Sequence, residues 1–179
     1  MNSNFYELLE NITPGSDIFV DMANYGAFGY LSLLVAALLY ERKLNSITIS
    51  IFVIYLSWIS SRVLTPVLYD LASGPELYTK FVWYGSWILC DVFCIWLIYY
   101  LHKVQNLRAT QLSLVVSMSF IVMSLIQAID FIDRATLQSN FFATAYQLLI
   151  ATMNTFMLPV ILYFWFAEIR KRRLIAAGA

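Results

Sequence analysis

Long apolar stretches separated by short polar gaps occupy most of the chain beyond its first 24 residues. Five are long enough to matter, at about 25–40, 46–69, 81–101, 111–129 and 141–167. A helix rises 1.5 Å per residue, so about 20 apolar residues cross a hydrocarbon layer of about 30 Å. The pattern therefore predicts five transmembrane helices, the first of them short unless residues 18–22 extend it. The gaps are too brief to fold as domains. The expected fold is an all-α integral membrane protein, a bundle of five transmembrane helices over 25–168. It is flanked by an acidic segment at 1–24 and a basic tail at 169–179. Within the first segment, 5–12 is amphipathic and suited to the membrane surface. Thr13-Pro14-Gly15-Ser16 interrupts it, and Ser73-Gly74-Pro75-Glu76 reads as a turn.

Charge turns this pattern into a topology. Eight of the eleven Lys and Arg residues are Arg42, Lys43, Lys103, Arg108 and the run Arg170, Lys171, Arg172, Arg173. Eight of the eleven Asp and Glu residues are Glu7, Glu10, Asp17, Asp21, Asp70, Glu76, Asp130 and Asp133, which fall on the other side of the alternating spans. By the positive-inside rule the N-terminus faces out and the C-terminus is cytoplasmic. Arg170 through Arg173 are expected to hold the last helix at an anionic inner leaflet, at about 1 kcal/mol per basic residue. Residues 1–24 lack the basic start of a secretory signal. Trp83, Trp87, Trp96 and Trp165 lie toward span ends, where indole rings favour the headgroup region. The expected location is a bacterial inner (plasma) membrane.

Composition narrows the chemistry. Charged residues make up 12% of the chain and apolar residues 61%, against about 25% charged in soluble domains. There is no basic face for nucleic acid beyond the tail. Cys90 and Cys94, one turn apart in a span, make an incomplete soft-metal pair and read as packing residues. No Gly-rich phosphate loop or His-Glu-x-x-His motif occurs. The single histidine, His102, stands at a span end, where it is expected to be exposed and without a serine partner. Asp130 and Asp133 are expected to solvate an outer loop. No metal, no cofactor and no catalytic residue is expected.

The candidate site is instead a set of polar residues inside the spans, where such groups face protein or water. Asp91 lies near the middle of the third span, and Arg62 in the outer half of the second, about 10 Å away along the membrane normal. Gln127, Gln147 and Thr65 share the outer half, and Asn154 lies near the level of Asp91. Together they suggest a polar funnel narrowing at Asp91 and Asn154. Tyr84, Trp87, Asp91, Cys94, Ile98 and His102 recur at three- and four-residue steps on one helix stripe. Small and polar stripes also mark the other spans: Gly26, Gly29, Ser32 and Ala36; Ser50, Ser57, Ser61 and Thr65; Ser113, Ser117, Phe120, Ser124 and Gln127; Thr144, Gln147, Ala151 and Asn154. Such stripes serve close helix packing as readily as a wet path. The bland alternatives are a structural Asp91–Arg62 pair, or an Arg62 that snorkels toward Asp70 or Asp130.

Two function classes follow. One is an oligomeric ion or proton channel or transporter working around Asp91 and Arg62. The other is a non-catalytic membrane subunit that anchors, senses for or regulates a protein partner, as in signalling or phage defence. Five spans, this length and abundant Trp and Tyr resemble the tryptophan-rich sensory (translocator) protein family in architecture. That family's proline-bearing helix motifs are not in this sequence; Pro66 and Pro159 are the prolines within spans.

Overall fold

The computed structural model describes residues 16–72, 74, 77–136 and 141–178. Among them the regular structure is α-helical, in five helices: α1 (Ser16–Glu41), α2 (Ser46–Ala72), α3 (Leu77–Val104), α4 (Gln111–Thr136) and α5 (Phe141–Ala176). The amphipathic stretch at 5–12 lies outside the described residues, as do 73, 75 and 76 of the turn around Gly74. Four helical stretches are long and apolar enough to cross a membrane: Ser46–Ala72, Leu77–Val104, Gln111–Thr136 and Leu148–Ile175. In α1 the apolar stretch Gly26–Glu41 is shorter.

Several helices outrun the apolar stretches that predict them. α4 continues through Asp130, Asp133 and Arg134, because nothing there breaks a helix and Arg134 Nε bonds Asp130 Oδ2 one turn back at 3.1 Å. α5 continues through the basic run to Ala176, 36 residues in all. At 1.5 Å per residue that is about 54 Å, so α5 exceeds a hydrocarbon layer of about 30 Å.

Where helices do begin and end, local chemistry explains it. Asn45 caps α2: its Oδ1 accepts the N–H groups of Ile47 and Thr48 at 3.0 and 2.9 Å. Thr48 Oγ1 returns the favour to the Asn45 N–H at 2.7 Å, a reciprocal capping box. α3 ends at Val104 and is closed by Asn106, whose φ of 50° is left-handed. The Leu107 N–H then bonds the His102 carbonyl at 2.9 Å and the Asn106 N–H bonds that of Lys103 at 3.2 Å, closing a Schellman motif.

The helices follow chain order around a ring. α3 packs on α2 and α4, α5 on α4, and α1 on both α2 and α5, while α2 meets α4 across the middle. Glu41 and Arg172 join the C-terminal ends of α1 and α5. Ser46, His102 and Thr110 join the start of α2, the end of α3 and the approach to α4. That end of the bundle carries the basic clusters and is called the basic end; the opposite, acidic end carries Asp70, Asp130 and Asp133.

The core changes character along this axis. Between Asp91 and the buried polar groups of the basic end (Ser46, Thr48, Ser50, His102 and Ser113) it is apolar, with Leu34, Ala37, Ile51, Ile98, Val116 and Ile161 in one buried cluster. Toward the acidic end the buried set is dominated by Tyr84, Asp91, Gln127, Asp130 and Asp133. The outside is as apolar as a bilayer requires, with Phe28, Leu39, Leu89, Tyr99, Leu125 and Phe156 all exposed.

α1 shows how packing selects residues within a stripe. Gly26 and Gly29 face the neighbouring helices, whereas Ser32 and Ala36 are exposed and Tyr30, Leu33, Leu34 and Ala37 are buried instead. A Cβ on Gly26 would stand 2.8 Å from the Trp58 ring, and one on Gly29 would stand 2.6 Å from Leu158 Cδ1. Leu158 can swing its methyl aside; a packed indole has less freedom. Gly26→Ala should therefore lose more from overpacking, typically about 1–3 kcal/mol, than the roughly 1 kcal/mol it gains in helix propensity. Gly29→Ala should be neutral or stabilising. Thermal unfolding of both variants in one detergent checks the contrast, and equal midpoints would contradict it.

Candidate functional site

The α3 stripe is the spine of the site. Tyr84, Asp91, Cys94, Ile98 and His102 are the buried residues of that helix, and Trp87 is half-buried. Three-residue and four-residue steps keep them on one face, and that face meets α2 and α4. Polar groups on this face form three levels along the bundle.

At the basic end, His102 is buried rather than exposed, which corrects the expectation for a span-terminal histidine. Its Nδ1 lies 2.7 Å from the Ile98 carbonyl, an acceptor, so Nδ1 carries the proton and donates. Nε2 then accepts from the Ser46 hydroxyl at 2.7 Å. A Ser–His pair is thus present where the sequence pattern suggested none. α3 overruns its expected end by three residues, carrying His102 alongside the capped start of α2. The pair is a staple rather than a nucleophile. Ser46 Oγ also accepts the Thr110 N–H at 3.1 Å and lies 2.9 Å from the Thr110 hydroxyl, so its lone pairs are already used. His102→Ala should cost about 1–3 kcal/mol by leaving the buried Ser46 hydroxyl without its acceptor. Denaturant titration in micelles would show this as a lower midpoint, and an unchanged midpoint would contradict the staple.

At the middle level, Asp91 is 4% exposed. Its Oδ2 accepts from Ser124 Oγ at 3.3 Å and from Gln127 Nε2 at 3.2 Å, both on α4. Both donors are neutral. Gln127 uses its amide N–H on Asp91, and its Oε1 is buried and accepts no hydrogen bond among the described residues. Asp91 and Gln127 are the predicted site residues that the structure brings together.

At the acidic level, Asp130 and Asp133 are buried, at 1% and 4% exposure, and do not solvate a loop. The cause is the extra length of α4, which carries both into the bundle. Asp130 Oδ2 accepts the Tyr84 hydroxyl and the Arg134 Nε–H, while Oδ1 is buried and accepts no hydrogen bond among the described residues. The Tyr84 ring packs on Phe131 and Tyr146 at centroid separations of 5.8 and 5.9 Å. Arg134 lies 6.0 Å over the same ring. Tyr84 lies on the α3 stripe that helical periodicity predicts; its bond to Asp130 follows from the helical extension of α4, which apolar length does not signal.

The remaining predicted residues lie elsewhere. Arg62 stands on an exposed face of α2 with Ile59, Val63, Pro66, Val67 and Asp70. Counted along the helices from the Ser46–His102 contact, Arg62 is about 24 Å up and Asp91 about 16 Å, an offset of about 8 Å. Asn154 is half-buried on α5, and its carbonyl accepts the hydroxyl of the buried Tyr30 at 2.7 Å, joining α5 to α1. Gln147 is part of α5, but its side chain lies outside the described residues. The hydroxyl stripes are largely satisfied within their own helices: Ser50, Ser61, Thr65 and Ser117 each donate to the carbonyl four residues back, at 2.6–2.9 Å. Of the basic run, Arg172 Nη1 bonds Glu41 Oε2 at 2.7 Å and Arg172 Nε bonds Glu168 at 3.3 Å; Arg170, Lys171 and Arg173 are exposed.

Among the described residues, no group of three His, Cys, Asp or Glu side chains could hold a metal ion. Cys90 and Cys94 are free thiols. Compared with protein-family models, curated proteins and solved structures, the chain matches none.

Proposed function

We propose that this chain is a small multi-span protein of a bacterial inner membrane, oligomeric in the bilayer, that takes a proton or small cation to Asp91 as a channel or transporter component. The observation that carries this reading is the setting of Asp91, buried at mid-bundle beside two neutral donors. A carboxylate in such a place needs a proton or a cation to balance its charge, because neutral hydrogen bonds alone do not offset desolvation. Ionisable groups held inside membrane bundles commonly serve as relays or ion sites.

The gradient in the core supports an entry from the acidic end. Asp91 lies between a polar region containing Gln127 and Asp130 and an apolar region containing Ile98, Val116 and Ile161. The sorted charges support the acidic end facing out and the basic end facing the cytoplasm. In this conformation the apolar belt between Asp91 and the polar groups of the basic end closes the way inward, so passage requires a rearrangement, as in a gated or alternating-access protein. The test is proton uptake by liposomes containing the purified protein, with Asp91→Asn beside the wild type. Uptake lost in the variant supports the reading, and equal uptake removes it.

A second reading is favoured by the face of α2. Arg62 and Asp70 are exposed there among Ile59, Val63 and Val67. Charged side chains are costly against lipid, and a neighbouring helix from another subunit would shield them. On this reading the chain is a non-catalytic subunit that anchors or regulates a membrane partner. Crosslinking from cysteines placed at Val63 and Val67 distinguishes the two: links only between identical chains fit an oligomeric transporter, and links to a different protein fit the subunit.

A further inference from the structure

We infer that the acidic half of the core binds a small organic ammonium compound, with its N–H groups donating to Asp130 Oδ1 and Gln127 Oε1 beside the Tyr84 and Tyr146 rings. Both oxygens are buried acceptors without a hydrogen bond among the described residues. They belong to residues 1% (Asp130) and 4% (Gln127) exposed that sit one turn apart on α4, and so share a helix face. A buried acceptor left without a donor costs about 1–3 kcal/mol. Two on one face define a position that wants a donor, and the carboxylate adds a preference for positive charge.

The walls of this position select the kind of cation. Tyr84 packs against Tyr146 and Phe131, so Asp130 stands among aromatic rings. Aromatic faces attract organic cations. The guanidinium of Arg134, 6.0 Å above the Tyr84 ring and bonded to Asp130, shows an organic cation already accommodated beside these groups. Arg134 is 30% exposed, so it can swing aside for an entering ligand. An inner-sphere metal is poorly matched, since no three acidic or His/Cys side chains converge among the described residues. An ammonium suits better: one nitrogen carries several N–H groups and can donate to two acceptors, each at about 2.8–2.9 Å. This site goes beyond the Asp91 reading and requires no transport.

The test is calorimetric titration of the full chain in detergent micelles with ethylammonium, tetramethylammonium and sodium at equal ionic strength. Ethylammonium should bind best, because it combines positive charge with N–H donors. Tetramethylammonium, which lacks donors, should bind more weakly, and sodium should show no saturable heat. Asp130→Asn should weaken ethylammonium binding about tenfold or more, in line with losing a charge-assisted hydrogen bond. Because Asp130→Asn also disturbs Tyr84, Tyr146→Leu provides a second variant that keeps Asp130 and its bonds; it should weaken binding about fivefold. Either no ethylammonium binding to folded wild-type protein, sodium binding as tightly, or undiminished binding by both variants overturns the site. None of these outcomes bears on proton uptake through Asp91, which is measured without any amine.

Discussion

Arg172→Ala should destabilise the protein more than alanine at any other position of the basic run. Glu41 is at the end of α1, and its side chain is only 3% exposed although that of Arg172 is 42% exposed. Its carboxylate accepts Arg172 Nη1 at 2.7 Å and Trp165 Nε1 at 3.4 Å. Arg172 is held in turn by Glu168 at 3.3 Å. Removing the guanidinium strands a buried carboxylate with one long, neutral donor. The cost is about 2–3 kcal/mol, reduced from the fully buried case because water reaches the Arg172 side. Arg170, Lys171 and Arg173 are exposed, and their alanine variants should each stay within about 0.5 kcal/mol. Adding Glu41→Gln to Arg172→Ala removes the stranded charge and should recover about 1 kcal/mol. Denaturant titration in micelles measures all five variants. Equal effects across the run would mean that the tail acts only as a membrane anchor and that the α1–α5 clamp carries no stability.

Asp91→Asn should abolish proton uptake while leaving the bundle intact. Asparagine has nearly the same shape and keeps a carbonyl oxygen to accept from Ser124 and Gln127, so the α3–α4 contact survives. It cannot take up and release a proton. The expected loss is about a hundredfold, the low end of what a positioned proton-transfer group contributes. Gln127→Leu keeps the carboxyl but removes a donor and a polar wall, so it should reduce uptake less severely. The series is read against unfolding midpoints: a variant that loses uptake with its midpoint unchanged has lost chemistry and not structure. Uptake preserved in Asp91→Asn would move the function to the subunit reading.

The helical bundle was legible because membrane helices advertise themselves twice, in apolar length and in the sorting of charge. The α3 stripe was legible too, since helical periodicity alone groups Tyr84, Asp91, Cys94, Ile98 and His102. Helix ends were less so. Asp130, Asp133 and Arg134 look like a loop when polarity is taken to end a span, yet charged residues continue a helix readily where no Gly or Pro intervenes. The Tyr84–Asp130–Arg134 level depends on that continuation of α4. His102 was misplaced for a related reason, because exposure at a helix end depends on which neighbour's end lies beside it. Arg62 was grouped with Asp91 by depth, and depth gives no information about which face of α2 it occupies. Asn154 was grouped in the same way, although its link in the fold is a backbone carbonyl serving Tyr30 on α1. The Glu41–Arg172 clamp joins residues 131 positions apart, and no local pattern signals it.

The function proposed for Asp91 requires a core that is wet from the acidic end as far as Asp91 and dry in the apolar belt beyond it. The direct measurement is labelling of single cysteines by a small, membrane-impermeant thiol reagent in sealed vesicles, in a Cys90→Ala, Cys94→Ala background. Gln127→Cys and Ser124→Cys should be labelled from the acidic side alone, and Val116→Cys and Ile161→Cys from neither side. Labelling at Val116 comparable to that at Gln127, or no labelling at Gln127 and Ser124 in folded protein, would contradict it.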